Sequence, residues 1–208
     1  PVNSAGVSFS PDLMTPMLIG TGPELSTQSS EGGINMNGCI DEVAVYKEIL
    51  PTSSIANPYA AATNSHYPNV VLGDNPVLYY RFNDSVIATN AGYAGSTFPI
   101  ATNYGTLGTN ANGLYQPGTT PGVTGPGYAG MGSRTAVSIN GSFGGVDVGG
   151  GSLPAALNPT GKAPFSVVTW FQGNPSDSPA RFQDILGHGD NSYRFAFGQT
   201  CGEIRFNP

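Results

Sequence analysis

The chain has 208 residues, 30 of them Gly and 18 Pro, and this density of helix-breaking and turn-making positions excludes a helical bundle or coiled coil as the main architecture. With 38% hydrophobic and 10% charged residues it is too apolar and too weakly charged for a disordered chain, which buries too little surface to offset its ordering entropy. Thirteen acidic and seven singly scattered basic residues give a net charge of −6, so no basic stripe exists to neutralise phosphates and nucleic acid is disfavoured as a partner.

In chain order, short apolar runs bounded by Gly, Pro and Asn clusters predict strands at 17–20, 40–46, 77–82, 136–140, 145–148, 165–171, 184–187, 193–197 and 203–206. One stretch reads differently. Thr52 or Ser53 can cap a short helix near 53–57, and Pro58 is expected to hold it to one or two turns, because the proline ring excludes a helical hydrogen bond. Residues 66–76, with Pro68, Gly73 and Pro76, read as a linker. The segment 91–134 is dense in Gly, Thr, Asn and Pro and reads as a long surface loop, functional or mobile.

No apolar run approaches the roughly 18 residues that cross a bilayer, so membrane insertion is not expected. The start, Pro1-Val2-Asn3-Ser4, lacks the features of a signal peptide; the expectation is a removed leader or a chain that begins inside a longer protein. Cys39 and Cys201 belong to no CxxC or Cys/His cluster, which disfavours zinc and leaves their oxidation state open. Few charges and many Ser, Thr, Asn and Gly point to a secreted or surface-displayed protein.

Gly38-Cys39-Ile40-Asp41-Glu42-Val43-Ala44-Val45-Tyr46, followed by Ile49-Leu50 and an Ala-rich helix, resembles the closing strand of a laminin G-like jelly roll of the concanavalin A-like superfamily. Pro76-Val77-Leu78-Tyr79-Tyr80-Arg81-Phe82-Asn83-Asp84 is similar to that family's opening strand, and the segments around 135–148, 164–171 and 185–190 look like the strands that follow. The resemblance implies an all-β fold, a two-sheet antiparallel jelly-roll sandwich. It also implies an order of domain end, linker, domain start. Residues 1–66 would be the C-terminal part of a first jelly roll, 67–76 a linker, and 77–208 the N-terminal part of a second, neighbouring one. The family's central segment has no counterpart here, and a circularly permuted single domain made of both pieces is the alternative.

The chemistry expected is recognition without catalysis. A retaining glycosidase needs two carboxylates roughly 5 Å apart, and the superfamily's Glu-x-Asp-x-x-Glu strand is absent. Asp41 and Glu42 are adjacent, so strand alternation is expected to send them to opposite faces. By resemblance, Asp41 helps hold a structural calcium ion, and Asp84 is a second candidate; the plainer reading is that Asp41 caps a turn and Asp84 is solvated. Asp147, Asp184 and Asp190 are weaker candidates, and His66 and His188 have no second ligand at metal spacing. Trp170, the only tryptophan, alternates with Val168 and reads as core more than as a sugar platform. Tyr79, Tyr80, Tyr193 and the loop tyrosines Tyr93, Tyr104, Tyr115 and Tyr128 read as free to meet a ligand.

The function expected is therefore an extracellular recognition or adhesion module that binds glycan or a protein partner. A structural repeat or subunit contact in a surface filament or virion assembly is the alternative, and an accessory domain of a polysaccharide-degrading enzyme a weaker one.

Overall fold

The computed structural model describes residues 16–22, 35–64, 66–84, 89–91, 97–132, 135–141, 144–173, 183–188, 192–197 and 204–207. Its elements are β1 (Leu18–Ile19), β2 (Asn37–Tyr46), α1 (Thr52–Thr63), α2 (Tyr67–Gly73), β3 (Leu78–Tyr80), β4 (Thr89–Ala91), β5 (Thr97–Ala101), β6 (Gly113–Tyr115), β7 (Thr119–Thr124), β8 (Thr135–Asn140), β9 (Val146–Asp147), β10 (Ser166–Gly173), β11 (Gln183–His188), β12 (Tyr193–Phe197) and β13 (Ile204–Asn207). They form an all-β sandwich of two antiparallel sheets with two short helices outside it. The larger sheet has the order β13-β12-β11-β1-β9-β6-β5-β4; the smaller runs β10-β2-β8-β7, with β3 added beside β2.

All nine expected strands are present. In β2 and β3, Ile40, Val43, Val45, Leu78 and Tyr80 enter the core between the sheets, where they meet Ile19, Val146, Leu186 and Tyr193 of the larger sheet. Alternate residues Ala44, Tyr46 and Tyr79 point the other way and build a second core under the helices, with Ala62 of α1, Tyr67 and Val71 of α2, and Met131.

Three expectations are corrected by this arrangement. The helix near 53–57 runs instead from Thr52 to Thr63 with Pro58 inside it, and its N-terminal flank is Pro51, with no side-chain cap. An interior proline costs about 3 kcal/mol, and burial of Ser54, Pro58, Ala61 and Ala62 against the sheet offsets it. Residues 67–73, read as linker, form a helix whose Tyr67 and Val71 are fully buried. The segment 91–134, read as loop, carries β5, β6 and β7. These strands are short and interrupted by Gly and Pro (Thr-Phe-Pro-Ile-Ala, Gly-Leu-Tyr and Thr-Thr-Pro-Gly-Val-Thr), which hides them from a propensity reading; Pro121 is accommodated where the β7–β8 register shifts, on an edge strand.

The strands on either side of residues 67–76 are interleaved. β1 pairs with β9 and β11, and β2 pairs with β3, β8 and β10. Strands from both sides of residues 67–76 therefore share the same two sheets.

Candidate functional site

The ten residues of β2 make three pairings that together create a break in the sheet. Along one edge β2 follows β10 from Tyr46 opposite Ser166 to Gly38 opposite Gly173. Along the other edge its first half pairs with β8, ending at Ile40, and its second half pairs with β3, beginning at Val43. Asp41 and Glu42 lie at the changeover. Opposite them Val168 pairs with Ala44 and Trp170 with Asp41, so the single residue Thr169 faces two residues of β2. This is a β-bulge, and within it Glu42 has a positive φ of 51°. The Thr169 hydroxyl donates to the Asp41 carbonyl (3.1 Å), replacing a ladder bond the bulge removes.

The bulge overturns the expected opposition of Asp41 and Glu42. One extra residue resets the alternation, so both side chains lie on the outer face of the smaller sheet. The Glu42 carboxylate accepts from the Tyr79 hydroxyl in the second core and from Arg81 Nε at 3.3 Å. Arg81 also donates to the Met131 carbonyl (3.0 Å). Asp41 Oδ1 accepts the Glu42 backbone N–H at 2.8 Å, so the turn-capping role is present. Burial pushes Asp41 up to about 8, with the neighbouring Glu42 charge adding to it. Burial likewise pushes Glu42 up to about 7, against the lowering effect of the Tyr79 hydrogen bond and of Arg81.

Beside this pair the outer face is left open by the helices, and a cleft of about 380 Å³ forms, within the roughly 300–1,000 Å³ range of small-ligand sites. Cys39 and Asp41 of β2, Ala136 of β8 and Trp170 and Gln172 of β10 line it, and residues 124–128 form its wall. Trp170 lies at the edge of the second core, and three tyrosines surround it. Tyr59 of α1 stacks on it (centroids 6.0 Å apart, planes 10° apart), Tyr128 leans on it at 5.1 Å, and buried Tyr67 meets it edge-on at 6.1 Å. Tyr59 is 64% exposed and Tyr128 37%, so the cleft opens beside two accessible aromatic rings.

The expected site residues are therefore dispersed. Tyr128 is in the cleft. Tyr104, also exposed, is elsewhere, edge-on to Tyr79 at 6.5 Å with its hydroxyl donating to Asn83 (3.3 Å). Tyr115 is corrected from loop to core: it is a β6 residue only 2% exposed. Tyr79, Tyr80 and Tyr193, read as free to meet a ligand, are likewise buried. Tyr93, Cys201 and Asp190 lie outside the described residues. Asp84 is not grouped with Asp41; its two oxygens accept from the Tyr115 hydroxyl (2.7 Å) and the Thr102 N–H (3.2 Å). Among the described residues no three His, Cys, Asp or Glu side chains cluster as metal ligands. His66 flanks α2, and buried His188 has its Nε2 3.3 Å from Asn158 Oδ1. Asp184 is ion-paired with Arg194 at 3.3 Å.

Tyr59 was missed by sequence reading. The only available signal was its position three residues before the end of the Ala-rich run, and that signal has meaning only once α1 continues through Pro58. Comparison with protein-family models, with curated proteins and with solved structures finds no match to this chain.

Proposed function

We propose that this chain is a non-catalytic recognition module that binds a glycan in the cleft of the smaller sheet's outer face. The observation that carries this reading is the group of Trp170, Tyr128 and Tyr59 beside a floor that offers Asp41 and Gln172. Pyranose rings have apolar C–H faces and a girdle of hydroxyls. Exposed aromatic rings cover the first, and a carboxyl and an amide bond the second. A pocket that mixes a few placed polar groups with aromatic walls is the common form of a small-ligand site.

Binding without bond cleavage is supported by the disposition of the acids. Asp41 lines the cleft, whereas Glu42 is held by Tyr79 and Arg81 and is not among the lining residues. One carboxyl does not make the pair that glycoside hydrolysis uses. The low charge content of the chain supports a place outside the cell, on a surface or in a secreted protein.

Trp170 is the only tryptophan, so intrinsic fluorescence reports directly on the cleft. Titration with soluble hexasaccharides is expected to shift and saturate that emission. A panel of glycans that leaves both the emission and the calorimetric heat unchanged would remove the proposal.

A further inference from the structure

We propose that the glycan this cleft accepts is uncharged, and that acidic glycans are refused. The inference rests on the glycan reading above and names its substrate class. Among the described residues, no Lys, Arg or His lines the cleft. The cation nearest its acid pair, Arg81, is already taken, its guanidinium held between Glu42 and the Met131 carbonyl. A uronate or sulfate seated on Trp170 and Tyr128 would give up its hydration and find no positive partner among the described lining residues, and an uncompensated buried charge is strongly unfavourable.

The acids of this face supply no attraction either. Asp41 lies in the cleft and Glu42 behind it is taken up by Tyr79 and Arg81, so neither acid offers an anionic ligand a positive partner. The chain as a whole, at −6, repels anions at longer range. A neutral chain of sugars meets none of these costs. Its ring faces lie on the aromatics, and its hydroxyls both donate to and accept from Asp41 and the exposed Gln172 amide.

The test uses the whole chain and three probes: cellohexaose and mannohexaose as neutral ligands, and hexagalacturonate as the acidic one, each titrated at 20 mM and at 200 mM salt. At least one neutral hexasaccharide is expected to bind at least tenfold more tightly than hexagalacturonate, with little salt dependence. Gln172→Lys places a cation in the cleft at an exposed position, and is expected to raise hexagalacturonate affinity at least tenfold at low salt while leaving the fold intact by circular dichroism. Equal or tighter binding of hexagalacturonate by the natural chain overturns the charge inference and leaves the glycan reading standing. A Gln172→Lys chain that is folded and no better at binding hexagalacturonate also overturns it. Failure of all three probes overturns this inference, and silence of a wider panel of glycans overturns the glycan reading as well.

Discussion

Asp41 and Glu42 are consecutive residues of β2, yet both carboxyls lie on the outer face of the smaller sheet, because Glu42 adopts a positive φ in a bulge opposite Thr169. Two acids are thereby buried side by side, with the Arg81 guanidinium paired to Glu42. Their ordinary values are 3.8 and 4.5, and burial raises them to about 8 and about 7. Between these limits the native state keeps protons that the unfolded chain has released, so stability falls as pH rises. The stabilisation is fully present below about pH 4, is lost as pH rises through 7 to 8, and is level above that. Melting temperatures from pH 4 to pH 9 are expected to show this decline, and Asp41→Asn should make it shallower. A melting temperature that climbs across the window would contradict the assignment.

Tyr79 supplies the hydroxyl that Glu42 accepts inside the second core. Tyr79→Phe keeps the ring and removes the donor, leaving a buried carboxyl short of a partner, at a cost of about 1–3 kcal/mol. Urea denaturation should show that loss, and it should shrink when Glu42→Gln is made in the same chain. Additive effects of the two substitutions would show that the contact carries no energy.

Gly130 is where the turn before β8 passes under α1. A Cβ there would lie 2.1 Å from the Ala61 carbonyl oxygen and 2.4 Å from that of Ala62, both backbone atoms that cannot rotate away. Gly130→Ala is expected to displace α1 and lower the melting temperature by several degrees. Gly127→Ala, where nothing lies within 4 Å, should leave it nearly unchanged. Similar melting temperatures for the two variants would mean that α1 is not docked as described.

Pro58 interrupts the hydrogen bonding of α1 while burying its ring. Pro58→Ala restores an amide donor, worth about 3 kcal/mol in a helix interior, and loses ring packing of roughly 1–2 kcal/mol. A net gain of about 1 kcal/mol is the expectation, read as a higher denaturation midpoint at unchanged slope. A clear destabilisation would show that the ring's packing outweighs the helix penalty.

Tyr59 is exposed and stacks on Trp170 from α1, so its role can be separated from folding. Tyr59→Ala should change stability by less than about 0.5 kcal/mol and weaken a bound hexasaccharide by roughly threefold to tenfold, the scale of one aromatic contact. Unchanged affinity would remove Tyr59 from the binding surface.

The sequence by itself determined where nine strands lie, since the alternation of residues such as Val43, Val45, Leu78 and Tyr80 is a local pattern that a half-buried strand must have. Its Gly and Pro content excluded a helical bundle, and it placed Tyr128 among the tyrosines that stay exposed. Only the tertiary structure decided the rest. Whether β2 pairs across residues 67–76 is a long-range matter that no local pattern encodes. Helix α1 persists through Pro58 because burial of Ala61 and Ala62 outweighs a local penalty. The strands of 91–134, short and broken by Gly and Pro, are held by the neighbouring strands that pair with them. The site itself depends on one extra residue. The bulge at Glu42 lies where β2 changes partner from β8 to β3 while following β10, and that single shift of register puts two acids on one face.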